Sequence, residues 1–415
     1  MRLRTTILLL ALGQLLSIAS AEAKPKKKHP AVKHAATTAA AKSHAAEAKG
    51  HSDEAKRSAK AHRQMVAKHV AARGVRSRVH VYGERFTASS FANDITLGDM
   101  TTGEDPVVRA AAIEALGNMN GTAMAIDPSS GRILAMVNQK LALSAGAEPC
   151  STIKLSVALA ALEEGLVKRD TRVNLGGHYS LDLTEAIAHS NNLYFETLGR
   201  ALGFERVKHY ANEFGLGELA GYNIPGEQLG IYPDTELPAA MGGVGRMCSF
   251  GESVSMTPLQ LGAMVAAIAN GGTLYYLQHP TTDADIAAFQ PKVKRLLNIA
   301  PVVPEMLDGM RAAVQYGTAR SLKANFTAFP VMGKTGTCSN NGTRFGWFAS
   351  YAETPAGRIV TVIFLEGGRP TFGPKAAELT GQFYRAMYER NYFQPKQAVP
   401  DSGAQSVAQA GVGAE

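Results

Sequence analysis

The sequence is short of cysteine, of internal repetition and of long apolar runs. Three cysteines in 415 residues allow one disulfide at most and leave one thiol free. No segment recurs along the chain, which excludes a repeat architecture. The N-terminal apolar run at 7–19 is shorter than the roughly 20 residues of a bilayer-spanning helix. These shortages exclude a disulfide-dense scaffold and a solenoid, and they argue against a spanning helix at the start of the chain.

Positive charge is concentrated near one end of the chain. The net charge is +8, to which residues 1–23 contribute +1 and residues 24–78 contribute +12, which leaves −5 for residues 79–415. No basic surface is therefore expected on the folded part, and no nucleic-acid partner is predicted. The arm at 24–78 is predicted to be disordered. It either tethers the folded part or contacts anionic wall polymers or a membrane surface.

The first residues match an export signal. Arg2 and Arg4 precede the apolar run, and Ala21 and Ala23 supply small residues at a cleavage site. We therefore expect a signal peptide at 1–23 and an exported protein of the periplasm or outer cell envelope. An uncleaved signal that anchors the protein to the membrane is the alternative. The tail at 396–415 is expected to be disordered.

Strand patterns stand at both ends of the folded part, with helical patterns between them. After a short helical lead-in at 79–116, GTAMAIDPSSGRILAMVN predicts a hairpin. Three strands and a closing helix are predicted from Phe329 to Arg390. The predicted helices between them lie at 151–166, 181–202, 204–214, 257–270 and 302–316. The pattern predicts an α/β (α+β) fold, with an antiparallel sheet built from both ends of the domain and a helical layer packed on it.

A lysine occupies an unfavourable place in EPCSTIKLSVALAALEEG, residues 148–165. Lys154 opens an apolar helix, where its ammonium group is costly to desolvate and lies near the positive end of the helix dipole. Ser151 stands three positions earlier, on the same helix face and within hydrogen-bond reach. Because burial lowers the pKa of an amine, Lys154 is predicted to be the base that activates Ser151 as a nucleophile. The alternative is an ordinary helix cap followed by a lysine that reaches solvent.

Two further motifs follow in order. Ser190 and Asn192 stand where one helical pattern ends and another begins, which is also typical of a plain turn. Lys334 opens Lys-Thr-Gly-Thr at 334–337 on a predicted strand, which is also typical of an edge strand with a solvated lysine. Ser-x-x-Lys and Lys-Thr-Gly each occur once in the chain. Three unique motifs, each in the element that its chemistry requires, favour a catalytic site over coincidence.

In this order the motifs resemble those of the penicillin-recognising acyl-serine enzymes, and most closely the transpeptidase domain of penicillin-binding proteins. The likeness extends through AIDPSSGRILAMVN, FGLGELAGYNIPGEQLGIYP, VSMTPLQLGAMVAAIANGG and GMRAAVQYGTA. The resemblance implies a β-lactamase/transpeptidase-like fold, which we expect to occupy residues 117–395. It implies neither a cofactor nor a metal.

The resemblance implies a D-Ala-D-Ala transpeptidase or carboxypeptidase acting on peptidoglycan stem peptides, with β-lactam antibiotics as covalent inhibitors. Ser151 would attack the carbonyl, and an amine of a second stem peptide, or water, would resolve the acyl-enzyme. The N–H groups of Ser151 and Thr337 would form the oxyanion hole. The other implied roles are those of Lys154 as base, Ser190 as proton relay, Asn192 as contact to Lys154 and the substrate amide, Lys334 as source of positive field, and Thr335, Gly336 and Thr337 as the substrate-binding strand whose two hydroxyls hold the carboxylate.

Departures from the family pattern surround the motifs. Cys150 stands where glycine is usual before the serine, Leu155 where proline is usual after the lysine, and Cys338 where a small residue usually follows the strand motif. Because the two cysteine-flanked motifs must approach each other, one hypothesis is a Cys150–Cys338 disulfide behind the site. Two buried thiols that act as small hydrophobes are the other. With neither a glycosyltransferase nor a pedestal domain ahead of it, the chain is expected to be a stand-alone transpeptidase-type domain.

Two other functions fit the same motifs. A serine β-lactamase of this fold would need a group that activates water, for which Glu227 and Glu236 are the candidates. A wall-binding or sensor protein would be acylated but would turn over little, and its basic arm at 24–78 would do the main work. The sequence leaves open which acceptor and which stem peptide the protein would use.

Overall fold

The computed structural model describes residues 86–394. The predicted signal peptide at 1–23, the basic arm at 24–78, the beginning of the lead-in at 79–85 and the tail at 396–415 lie outside the described residues. Within residues 86–394, no helix combines the length and the apolar character needed to cross a bilayer.

Strands and helices follow one another through the described chain. The strands are β1 (Gly121–Asp127), β2 (Arg132–Val137), β3 (Val173–Gly176), β4 (Tyr179–Leu181), β5 (Thr273–Tyr275), β6 (Val293–Leu296), β7 (Val331–Asn340), β8 (Thr343–Thr354) and β9 (Gly357–Gly367). The helices are α1 (Pro106–Leu116), α2 (Gln139–Ala142), α3 (Lys154–Glu163), α4 (Leu183–Ala188), α5 (Asn192–Leu202), α6 (Phe204–Glu213), α7 (Gly243–Phe250), α8 (Pro258–Asn270), α9 (Asp283–Ala287), α10 (Val303–Gln315) and α11 (Gly373–Glu389). Short 3-10 turns span Cys150–Ile153, Ala239–Met241 and Arg320–Ala324.

The main sheet joins the two ends of the described chain. Its strand order is β2-β1-β9-β8-β7, and every neighbouring pair is antiparallel. The early strand β1 therefore pairs with the late strand β9, for example Ala123 with Ile363. The prediction of an antiparallel sheet assembled from both ends, with helices between, is confirmed. β7, which carries the Lys-Thr-Gly-Thr motif, lies at the edge of this sheet.

Helices cover both faces of the sheet, and the alternation of side chains along each strand explains why. On β1, Met124 and Ile126 face a core that includes α3 and α8, whereas Ala123 and Ala125 face a second core with α1 and α11. Successive residues of a strand point to opposite faces, so a strand buried on both sides reads as one apolar run. Gly262 of α8 allows a close approach, since a Cβ there would lie 2.6 Å from Ile126 Cδ1.

Helix α3 runs through the first core. Its residues from Leu155 to Leu162 are all buried. The helical pattern predicted at 181–202 divides into α4 and α5, and the division falls at Ser190, where one pattern was predicted to give way to another. Sequence patterns missed the hairpins β3–β4 and β5–β6. Their strands have only three or four residues, of which Leu274 alone is buried, so they carry almost no alternation signal.

Candidate active site

Ser151 stands on a tight turn that leads into the buried helix. The 3-10 turn Cys150–Ile153 runs directly into α3, which begins at Lys154. Thr152 Oγ1 holds the turn by donating to the carbonyl oxygen of Pro149 at 2.7 Å. Cys150 has a φ of 52°, a left-handed conformation that a residue with a Cβ adopts at some cost. This conformation gives a physical reason why glycine is usual before the serine.

Lys154 is fully buried, and its amine meets four oxygens. Nζ lies 2.9 Å from Ser151 Oγ, 2.8 Å from the Ser190 carbonyl oxygen, 3.1 Å from Ser190 Oγ and 2.6 Å from Asn192 Oδ1. The carbonyl and amide oxygens can only accept hydrogen bonds. If a neutral amine gives its two hydrogens to these acceptors, its lone pair is left facing a hydroxyl group.

The turn between α4 and α5 presents Ser190 and Asn192 to this amine. Ser190 has a φ of 54°, and its backbone N–H donates to Ile187 O at 3.1 Å, which closes the end of α4. The side chain of Asn191 then caps α5 by accepting from Tyr194 N–H at 2.9 Å. Because one helix ends and another begins within three residues, both side chains are fixed by backbone geometry.

Lys334 reaches the same turn from β7. It is fully buried, and its Nζ donates to Ser190 Oγ at 2.8 Å and to the carbonyl oxygen of Thr335 at 2.9 Å. The Ser190 hydroxyl therefore lies between two amines. Together, Ser151, Lys154, Ser190, Asn192 and Lys334 form what we call the lysine cluster. The three motifs predicted to converge do so, whereas the chemical role of each residue stays a prediction.

Burial lowers the pKa of both lysines. For Lys154, loss of solvent is the largest cause, the charge of Lys334 lowers the pKa further, and Glu196 opposes the shift. Burial lowers the pKa of Lys334 to about 7. In the described chain, the hydrogen bonds of both amines go to uncharged oxygens. The lowered pKa of Lys154 favours the neutral amine that a general base requires.

Strand β7 lies against the turn that carries Ser151, and two features hold it there. A Cβ on Gly336 would lie 2.9 Å from the carbonyl oxygen of Pro149, so this approach requires glycine. A disulfide joins Cys150 to Cys338, with 5.5 Å between the two Cα atoms. Of the two hypotheses for these cysteines, the structure therefore has the disulfide. Cys248 is a free, buried thiol.

The two threonines of the strand motif differ in their surroundings. Thr335 is only 4% exposed, and its hydroxyl donates to Thr318 Oγ1 at 2.7 Å. Thr337 is partly exposed and accepts from Gly373 N–H at 2.8 Å, which leaves its own hydroxyl hydrogen free to donate. Sequence analysis did not single out Thr318. Its signal was the YGTA of 316–319, which lies inside one of the segments that carry the family resemblance.

The two glutamates considered for water activation are bound elsewhere. Glu227 Oε1 accepts from the backbone N–H of Ala220 at 2.8 Å, and Glu236 Oε1 accepts from that of Val244 at 2.9 Å. Neither carboxylate has a hydrogen bond to the lysine cluster among residues 86–394. In the same range, no group of three or more His, Cys, Asp or Glu residues is arranged to hold a metal ion.

Comparison with known proteins gives a consistent result. Residues 121–385 match the penicillin binding protein transpeptidase domain. Stage V sporulation protein D of Bacillus subtilis is 28% identical over 315 residues, which cover 63% of this chain and 48% of that protein. This chain therefore spans about half the length of that relative. Peptidoglycan D,D-transpeptidase PbpA of Mycolicibacterium smegmatis is 25% identical over 374 residues, which cover 74% of this chain and 75% of that protein.

Solved structures share the fold. The crystal structure of Pseudomonas aeruginosa PBP2 in complex with WCK 5153 has a TM-score of 0.59 at 24% identity, covering 71% of this chain and 77% of that chain. The family match extends over more than half of the chain and contains all three motifs. The protein therefore belongs to the penicillin-binding protein transpeptidase family.

Proposed function

We propose that this protein is an exported penicillin-binding protein, a serine-type D,D-transpeptidase or D,D-carboxypeptidase that acts on stem peptides ending in D-Ala-D-Ala. One observation carries the proposal: the buried Lys154 amine lies 2.9 Å from Ser151 Oγ while two obligate acceptors take its hydrogens. Relatives named as peptidoglycan D,D-transpeptidases support the choice of reaction.

Acylation begins with the transfer of a proton. Lys154 takes the proton of the Ser151 hydroxyl, and Oγ forms a bond to the carbonyl carbon of the penultimate D-alanine. The backbone N–H groups of Ser151 and Thr337 stabilise the oxyanion. When the peptide C–N bond breaks, the Ser190 hydroxyl passes a proton to the leaving amine of the terminal D-alanine. Ser190 is suited to this relay because its Oγ lies 3.1 Å from Lys154 Nζ and 2.8 Å from Lys334 Nζ.

Residues of β7 and Asn192 bind the substrate. Lys334 provides a positive field for the terminal carboxylate, and the free hydroxyl hydrogen of Thr337 donates to it. Thr335 is more buried than Thr337, and it contributes to carboxylate binding through its hydrogen bond to Thr318 Oγ1. Asn192 holds Lys154 through Oδ1, which leaves its side-chain NH₂ for a substrate amide. An amine of a second stem peptide, or water, then attacks the ester and releases Ser151.

β-Lactams follow the same path as far as the acyl-enzyme. Their strained amide is attacked by Ser151, but the amine stays tethered, so the ester persists. The hydrogen bonds of Glu227 and Glu236 to backbone groups elsewhere favour a stable adduct over lactamase turnover.

Labelling with a fluorescent penicillin tests the proposal. A stable adduct that is absent in Ser151→Ala supports a penicillin-binding protein, rapid loss of the label indicates a lactamase, and no label contradicts acylation. Release of D-alanine from a pentapeptide, with and without an added amine acceptor, then separates transpeptidation from hydrolysis. Export is tested separately, because cleavage after Ala23 would appear in the intact mass of protein recovered from the cell envelope.

A further inference from the structure

A cavity of about 650 Å³ opens beside the lysine cluster, at the far end of β7. Thr337 and Cys338 form part of its wall, so it adjoins the catalytic motifs directly. Another cavity, of about 880 Å³ around Asp127 and Tyr392, contains no motif residue. The charged side chains of the cavity at β7, which we call the mixed-charge cavity, are Glu148, Arg246, Glu252 and Arg344.

Two of these four charges already form a pair. Arg246 Nε donates to Glu252 Oε2 at 2.8 Å, and its guanidinium group lies 4.0 Å from the ring centre of Phe250. This pair forms a neutral wall of the cavity. It is held in place by its own contacts and does not depend on a ligand.

The other two charges have no ionic partner within residues 86–394. Arg344 projects from β8, with its guanidinium carbon 5.7 Å from the ring centre of Phe372. The backbone of Glu148 is fixed, because Trp347 Nε1 donates to its carbonyl oxygen at 3.0 Å, but its carboxylate makes no hydrogen bond to any of residues 86–394. Burial, followed by the charge of Glu252, raises the pKa of Glu148 to about 7, and the charge of Arg246 opposes the shift. The cavity therefore offers one partly buried carboxyl group and one partly buried guanidinium group, neither of which forms a salt bridge with residues 86–394, so that a ligand with a cation and an anion could pair with both.

The course of β7 indicates which part of a substrate reaches this cavity. The strand lies at the edge of the sheet, so an extended peptide can lie along it. With the scissile carbonyl at Ser151 and Thr337 and the terminal carboxylate toward Lys334, the preceding residues must run toward Ser339 and Asn340. One strand residue advances about 3.3 Å, so the residue before D-Ala-D-Ala lies beside the cavity.

We propose that the mixed-charge cavity selects the stem-peptide residue that precedes D-Ala-D-Ala, and that it favours a diamino dicarboxylic acid whose free end carries both an ammonium and a carboxylate. Glu148 binds the ammonium and Arg344 binds the carboxylate. This inference rests on the proposed function, because only an acyl donor bound at Ser151 would be aligned in this way.

A matched pair of peptides tests the inference on the full chain. L-Ala-γ-D-Glu-X-D-Ala-D-Ala is prepared with meso-diaminopimelate or with L-lysine as X, two residues that differ only by the terminal carboxylate. The readout is the peptide concentration that halves the rate at which fluorescent penicillin labels Ser151, which requires no turnover. The diaminopimelate peptide should compete at a concentration at least about tenfold lower, since the Arg344 guanidinium can pair with the terminal carboxylate of diaminopimelate, which lysine lacks.

Variants identify the residues responsible. Arg344→Gln should weaken competition by the diaminopimelate peptide about tenfold and leave the lysine peptide within about twofold, whereas Glu148→Gln should weaken both. Arg385→Gln, on the exposed face of α11, is the control and should change neither. Equal competition by the two wild-type peptides, or an equal loss for both in Arg344→Gln, would overturn the inference. Absence of penicillin labelling in the wild type would instead remove the proposed function, so the two failures are distinguishable.

Discussion

The lysine cluster and the mixed-charge cavity are neighbours along β7, yet their ionisable side chains lie in opposite kinds of surroundings. In the lysine cluster both amines are fully buried and have lowered pKa values, and their hydrogen bonds within residues 86–394 go to uncharged oxygens. In the cavity the side chains are partly exposed and include carboxylates and guanidinium groups. We infer that the first region favours proton transfer because its amines are shielded from water and have no counter-ion among residues 86–394, whereas the second keeps its guanidinium groups charged so that they can recognise a ligand.

A disulfide lies between the two regions. Cys338 directly follows the strand motif, and Cys150 directly precedes Ser151. Gly336 adds a close contact to the same turn. Ser151, Thr337 and one wall of the cavity are therefore joined through a single junction, and variants on either side of it can test the two regions separately.

The largest effect is expected from exchanging the two kinds of cation. Lys154→Arg should lower the rate of acylation by fluorescent penicillin by at least about a thousandfold, because a guanidinium group cannot be deprotonated to act as a base. Arg344→Lys keeps the charge of the cavity and should change the same rate by less than about threefold.

The control for this pair is thermal unfolding, since an unfolded variant would also fail to label. If Lys154→Arg remains folded and still labels at close to the wild-type rate, Lys154 is not the base. The contrast between the two regions would then have no chemical meaning.

Much of the lysine cluster could be predicted because each motif occurs once and has its own local reason to exist. Lys154 was conspicuous because packing alone would not put an ammonium group in an apolar helix. Cys150 and Cys338 were conspicuous because both stand beside motifs that must meet. The long strands were predictable for the same kind of reason, since an apolar run such as GTAMAID has the pattern of a strand buried on both faces.

The mixed-charge cavity could not be predicted, because its residues come from separate elements without a shared motif. Arg246 and Glu252 lie on and just after α7, a helix that the sequence patterns missed, and Arg344 lies on β8. Charged residues at such positions are normally solvated surface groups. Only the tertiary arrangement shows that Glu148 and Arg344 line one cavity and that neither has an ionic partner in the described chain.

The next largest effect is expected from opening the junction. Cys150→Ala/Cys338→Ala should lower the free energy of unfolding by about 2–4 kcal/mol, because a disulfide that closes a long loop restricts the unfolded chain. Urea unfolding of the oxidised wild type and the double variant measures the difference. Dithiothreitol should lower the wild-type value toward that of the variant and leave the variant unchanged. An unchanged midpoint in the reduced wild type would show that the junction is held by packing alone.

A smaller effect is expected from removing the hydroxyl group between the two amines. Ser190→Gly should lower the acylation rate by about 10- to 100-fold, because the proton relay is lost while both lysines remain. Glycine suits the φ of 54° at this position, so the backbone should keep its conformation. Competition by the diaminopimelate and lysine peptides should change equally, since the cavity is untouched. Loss of selectivity between those peptides would contradict the separation of the two regions.

The smallest effect concerns the pH dependence of stability. The pKa of Glu148 is raised from its ordinary 4.5 to about 7, so the folded protein binds this proton more tightly than the unfolded chain. The resulting stabilisation is complete below pH 4.5 and is lost as the pH rises through 7. Because the carboxylate is partly exposed and solvent screens it, the loss should stay below about 1 kcal/mol.

Glu148→Gln cannot ionise, so it should lose less stability than the wild type in urea unfolding between pH 5 and pH 8. Glu205→Gln, on the exposed surface of α6, should follow the wild type. The amines of the lysine cluster behave in the opposite sense, because a lowered pKa means that the folded protein binds their protons less tightly and gains stability as the pH rises. If Glu148→Gln parallels the wild type throughout, the Glu148 carboxylate of the wild type is ordinarily solvated. The cavity then contains no desolvated carboxyl group that could bind a cation.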